Sequence, residues 1–118
     1  MSVGPARKPL IWLHGEIKTP PFSRAARVEA GTLLRLLQEG ESLGMPHSRP
    51  MPSIGPHYHE LRIRDEDITW RIVYRLDPDR ILVAGVFAKT ARKTARHDIQ
   101  DCQRRLKLHD QVRREMGR

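Results

Sequence analysis

The spacing of apolar positions changes along the chain, and each change marks an element. Residues 9–14 read Pro-Leu-Ile-Trp-Leu-His, a short apolar run that predicts a strand. Thr19-Pro20-Pro21 stops it, because proline has no amide proton to give to a ladder. Ser23 stands where a helix N-cap belongs. Behind it Ala26, Ala30, Leu33, Leu34 and Leu37 fall on one face at helical spacing, and Gly40 is placed to end the helix. Periodicity is then lost over residues 41–56. Gly44, Pro46, Pro50, Pro52, Gly55 and Pro56 make this a loop with room for a second short helix. From residue 57 the period becomes two. Leu61 and Ile63 alternate with Glu60, Arg62 and Arg64 through 57–64, and Asp65-Glu66-Asp67 makes a turn. Trp70, Ile72, Tyr74 and Leu76 then alternate with Arg71, Val73 and Arg75 through 68–76. Asp77-Pro78-Asp79 makes the next turn. Residues 81–88 are almost wholly apolar, the pattern of an interior strand covered on both faces. Short turns between consecutive strands predict an antiparallel meander. Thr94 fits the N-cap of a last helix, which docks through Ile99, Cys102 and Leu106 and is basic elsewhere.

The expected architecture is α+β: a small, mostly meander antiparallel sheet with an N-terminal and a C-terminal helix packed on it. The 118 residues suit a single domain. Residues 1–8 read as a loose arm and 9–118 as one unit, with no internal repeat.

Charge adds a partner class. The chain has 22 Lys and Arg against 14 Asp and Glu, a net charge of +8. Residues 89–118 alone hold ten of the bases and four of the acids. Charge this concentrated suits a polyanion, the alternative being a solvated helix with a skewed count. Arg dominates the basic residues, and a guanidinium can hold a phosphate with two parallel hydrogen bonds. Cys102 is the single cysteine, so no internal disulfide forms, which fits a reducing compartment. No apolar run has the length of a signal peptide or a membrane span. The expected location is the cytoplasm, with no membrane partner.

Several segments carry a family resemblance. His-Glu-Leu-Arg-Ile at 59–63, Trp-Arg-Ile-Val-Tyr-Arg at 70–75 and Val-Phe-Ala-Lys-Thr-Ala-Arg-Lys-Thr at 86–94 stand in order. Thr-Pro-Pro-Phe at 19–22 and Gly-Met-Pro-His-Ser-Arg-Pro at 44–50 precede them. Together they resemble the RelE/HigB toxin superfamily, in its phage-related HigB-like branch, over about residues 9–106. The resemblance implies a RelE-like fold and a type II toxin–antitoxin pair. It also implies a ribosome-dependent endoribonuclease (an mRNA interferase) that blocks translation by cutting mRNA, with no metal and no cofactor. The implied partners are a helix-turn-helix, HigA-like antitoxin, the ribosome and mRNA.

Carried over residue by residue, the resemblance assigns Arg71 to phosphate clamping and Arg62, on the neighbouring strand, to the same open face. A cross-strand ion pair with an acidic neighbour is the other reading of Arg62. Lys89 matches the basic residue at the end of the last strand, a strand-end charge being its plain alternative. Arg92 and Lys93 lie in the basic segment the family uses near RNA, and Arg64 and Arg96 join them as RNA-binding residues. The chain also departs from the pattern. Thr90 stands where many relatives have a second Lys, and residues 88–118 hold no Tyr for proton transfer. His97 is the nearest titratable substitute, either a general acid or base or a solvent-facing helix residue. His57 and His59 invite a metal reading, but no third ligand stands at ligand spacing. A non-catalytic RNA-binding module, or a degenerate toxin acting through its antitoxin complex, is the rival to the nuclease. A purely structural, antitoxin-bound partner is a third reading.

Overall fold

The computed structural model describes residues 7–13, 22–88 and 96–117. The element order is β1 (Leu10–Trp12), α1 (Arg24–Gln38), β2 (Ser48–Pro50), β3 (Tyr58–Asp65), β4 (Ile68–Leu76), β5 (Ile81–Ala88) and α2 (Arg96–Met116). The class is α+β, as the pattern predicts.

α1 forms where its spacing predicts. Ser23 takes extended backbone angles, and its Oγ accepts from the Ala26 amide at 3.2 Å. Such a cap contributes about 1 kcal/mol. Glu39 closes the helix, and Gly40 follows in the left-handed region at φ 89°, where a Cβ would be strained. The five buried residues of α1 are Ala26, Ala30, Leu33, Leu34 and Leu37, the predicted stripe.

The five strands form one sheet in the order β1-β5-β4-β3-β2. β3, β4 and β5 are the antiparallel meander, with Leu61 opposite Ile72 and Arg62 opposite Arg71. Two features depart from the sequence reading. β1 lies parallel to β5, so the sheet is mixed. The loop over 41–56 yields a three-residue edge strand, β2, rather than a helix, antiparallel to β3. Pro50 is tolerated there because an edge strand needs no donor on its outer side.

Strand alternation sorts side chains onto two faces. α1 covers one face, where its stripe meets Leu61, Ile63, Trp70, Ile72, Tyr74, Ile81 and Val83. A buried hydrogen bond joins Ser48 Oγ and Tyr74 Oη at 2.6 Å within this core. Asp65 ties the β3–β4 turn to the start of α1. Its Oδ2 accepts from the Ser23 amide at 2.8 Å and from Trp70 Nε1 at 3.1 Å.

α2 covers part of the other face through Cys102 and Leu106, which pack with Val73, Leu82, Ala84, Met51 and Ile54. The approach is close. A Cβ on Gly85 would meet Cys102 Sγ at 3.0 Å, so glycine is what admits the helix. The register of β4 against β5 shifts between Val73 and Tyr74. Beside that bulge the Ala84 carbonyl accepts from Arg105 Nη1 at 2.8 Å. Farther along α2, Arg75 donates two bonds to Asp110, each 2.8 Å, and two to Asp77. Arg113 reaches Asp79 at 2.7 Å. These contacts run backward along β5 as α2 advances. The helix is therefore antiparallel to β5, and its first turn lies toward the strand end that holds Phe87 and Ala88.

Candidate functional site

Among the described residues, the contacts of α2 with the sheet face opposite α1 fall on Val73, Arg75, Leu82 and Ala84. Strand register brings the basic residues of the meander to the same face. Arg62 and Arg71 are cross-strand partners, Arg64 is opposite Thr69, and Phe87 is opposite Arg71. Arg49 of β2 is opposite Glu60 of β3. Four neighbouring strands thus contribute to one patch.

Its centre is a buried ion-pair network. Glu60 is 0 % exposed and Arg71 is 1 % exposed. Glu60 Oε2 accepts from Arg71 Nη1 at 3.0 Å. Glu60 Oε1 accepts from Arg49 Nη2 at 3.5 Å, a longer and weaker bond. Burial pulls the Arg71 guanidinium below its ordinary range. Glu60 works against that shift, while the positive charges of Arg49 and Arg62 add to it. Both arginines therefore raise the potential at Arg71. Removing one partner of such a buried pair costs about 3–5 kcal/mol, because the remaining charge is uncompensated.

The site residues expected from the sequence separate accordingly. Arg71 lies on the face away from α1, as alternation requires, but its side chain is inside and bonded to Glu60 rather than open. Arg62 is half-buried and has no carboxylate partner among the described residues. The cross-strand ion pair weighed for Arg62 is made by Arg71 instead. Arg64 is exposed on β3, and Arg96 is exposed at the start of α2. His97 is also exposed, its side chain 78 % open, with Nε2 3.2 Å from Asp98 Oδ1. Lys89, Arg92, Lys93 and the Thr94 cap lie outside the described residues.

Proton-transfer groups are few on this face. The chain has two tyrosines. Tyr74 belongs to the α1 core, and burial pushes its phenol up, with the Ser48 hydrogen bond opposing. Tyr58 lies on the α2 face near Arg75. Burial raises its phenol too, against the lowering effect of Arg75. His59 points to the α1 side, stacked on Tyr74 with ring centroids 5.3 Å apart, and burial lowers its imidazole. His57 precedes β3 with a positive φ of 65°. No cluster of three or more metal-ligating side chains exists among the described residues. None of the described helices is long and apolar enough to cross a membrane.

Sequence reasoning passed over Glu60, Arg49 and Phe87. Parity does put Glu60 on the same strand face as Arg62, which was the available signal. Arg49 stands in a proline-rich stretch without periodicity, so only the Pro-His-Ser-Arg-Pro motif marked it.

No curated protein and no solved structure matches the chain. Residues 20–107 match the model of the Phage derived protein Gp49-like (DUF891) family, and that span takes in α1, the whole meander and the docked half of α2. The match covers most of the 118 residues, and the chain belongs to this family of RelE-like toxins, which implies an antitoxin partner.

Proposed function

We propose that the chain is the toxin of a type II toxin–antitoxin pair and cuts mRNA on the ribosome. The observation that carries this reading is the patch at the end of β3, β4 and β5. The half-buried Arg62 and the exposed Arg64 stand there beside an Arg71 fixed by Glu60, on the strand face opposite α1. Such a surface suits a phosphodiester backbone rather than a small neutral ligand. The fold and the family support the same class of activity.

In the proposed reaction the RNA 2′-oxygen attacks the adjacent phosphorus. A new P–O bond closes a 2′,3′-cyclic phosphate, and the bond from phosphorus to the 5′-oxygen of the next nucleotide breaks. A base takes the 2′ proton, and an acid returns one to the leaving oxygen. No metal is needed, because cations of the protein offset the charge that builds on the phosphoryl oxygens. Arg62, half-buried and without a carboxylate partner among the described residues, is the guanidinium for that task. Arg71 adds fixed positive charge from beneath, in a low-dielectric setting where charge acts strongly. Lys89, the residue after β5, supplies a second cation, and His97 the proton transfer. Arg64, Arg92, Lys93 and Arg96 hold flanking phosphates. The antitoxin is a helix-turn-helix, HigA-like protein, and the site of action is cytoplasmic.

A second reading, a basic module that binds RNA without cutting it, draws on the depth of Arg71 and the exposure of His97. One experiment separates the two. Purified protein is incubated with a defined mRNA, with and without translating ribosomes, and new RNA 5′ ends are mapped for wild type, Arg62→Ala, Arg71→Ala and Lys89→Ala. Ribosome-dependent ends that fall at least tenfold in the variants, with folding intact, are expected. Binding without any new ends would establish the second reading.

A further inference from the structure

Arg49 has an unusual setting for a brace. It sits on the edge strand β2, directly opposite Glu60, yet its bond to that carboxylate is 3.5 Å while Arg71 takes the 3.0 Å bond. Its Nε is buried and makes no hydrogen bond, and 38 % of its side chain is exposed. The stem is thus held inside while the outer end of the guanidinium faces solvent. Arg62 and the exposed Arg64 of β3 lie on the same strand face and put two more guanidiniums beside it. A guanidinium fork with donors to spare fits a phosphate.

We infer that Arg49 is a phosphodiester ligand at the rim of this face, and that Glu60 is the positioning residue that aims it. The choice of RNA as the ligand rests on the function proposed above. Glu60 is fully buried and touches no ligand. It acts by tethering two guanidiniums from β2 and β4 to one point on β3. The edge strand is thereby fixed relative to the central strand, and the spacing between Arg49 and Arg62 with it. The Ser-Arg-Pro of β2 then has a role: Ser48 anchors the strand into the α1 core through Tyr74, and the next residue faces the opposite way, toward the ligand.

The test uses the full chain and a fluorescent single-stranded RNA 12-mer. Binding is followed by anisotropy over a series of salt concentrations. Arg49→Gln is compared with wild type and with Arg35→Gln, which removes an equal charge from the exposed side of α1. Each phosphate contact on a single strand contributes about 0.7 to the slope of log affinity against log salt. The Arg49 variant should lose about that much slope, and the Arg35 variant none. Equal slopes for all three proteins overturn the inference, as does a wild type that binds no RNA. Should Arg49→Gln fail to fold, the Arg49 Nε–H signal of the wild-type protein is followed by NMR. It should move on adding the RNA, and a signal that stays still overturns the assignment. Glu60→Gln keeps every guanidinium but loosens Arg49, so its slope should fall part of the way toward that of Arg49→Gln while single-turnover cleavage falls about tenfold. Unchanged cleavage in that variant removes the positioning role. The two ideas fail separately. Wild-type cleavage with no Arg49 slope effect sinks only the inference. An Arg49 slope effect without cleavage sinks only the nuclease.

Discussion

The two faces of the sheet are built on opposite principles. Under α1 the packing is mainly apolar, with the Ser48–Tyr74 bond buried inside it and the Trp70–Asp65 bond at its margin. Its energy comes from area removed from water, at about 25 cal/mol per Å². Under α2 only Cys102 and Leu106 of the helix are fully buried, and much of the remaining attachment is hydrogen-bonded and ionic. There the Arg75–Asp77–Asp110 fork holds the distal half of the helix, and the Arg49–Glu60–Arg71 network spans β2, β3 and β4. One face is made to stay closed. The other keeps charge in place, which is costly for stability and useful for meeting a polyanion.

The largest effect tests whether the charged face also contributes to stability. Glu60→Ala should cost about 3–5 kcal/mol, because Arg71 loses its carboxylate inside the protein. Urea denaturation measures this, and a loss below about 1 kcal/mol would show that the network is hydrated rather than buried. On the apolar face, Leu34→Ala should cost about 2–5 kcal/mol with no change in the affinity of the folded fraction for RNA. A change in that affinity would break the division of labour between the faces. A smaller effect is expected where α2 meets the sheet. Gly85→Ala places a methyl group 3.0 Å from Cys102 Sγ and 3.2 Å from Arg105 Nη1. The expected cost is about 1–3 kcal/mol, read as a lower Tm, since the helix must back away from β5.

The smallest effect is a pH dependence present on both sides. Burial lowers the imidazole of His59 on the α1 side and of His109 on α2. A histidine whose folded pKa is lowered binds its proton more readily when unfolded. Its neutral form therefore favours the fold fully above the ordinary value of 6.5, and stability falls as pH drops below it toward the folded value. His59→Phe keeps an aromatic ring against Tyr74 and should flatten the α1-side part of that acid slope. An unaltered slope of Tm against pH between 7 and about 4.5 would remove His59 as its cause.

The apolar face was the more legible in the sequence, for a physical reason. Burial of α1 needs a continuous stripe, and the five residues read from spacing are the five that are buried. The strands of the meander were legible too, because alternation is imposed on every residue by the pleat. Two kinds of structure left no periodic trace. A three-residue strand such as β2 is too short to show a period, and whether β1 runs parallel or antiparallel to β5 depends on a partner some 70 residues away. The site was partly legible. Parity set Arg62, Arg64 and Arg71 on one face, but burial of a charged residue is a three-dimensional property. Arg71 and Glu60 look like ordinary solvent-side positions until β2 and β4 are seen on either side of β3.

The parallel pairing of β1 with β5 also bears on the order of events during synthesis. Leu10, Ile11 and Trp12 leave the ribosome early, yet their partners are Ile81, Leu82 and Val83. The hairpins of β3, β4 and β5 close through loops of a few residues and can form as soon as they emerge. The first strand must wait, unpaired and apolar, until nearly the whole meander exists. A nascent chain stalled before residue 81 would therefore expose that strand to proteases or chaperones, and one extended past β5 would protect it.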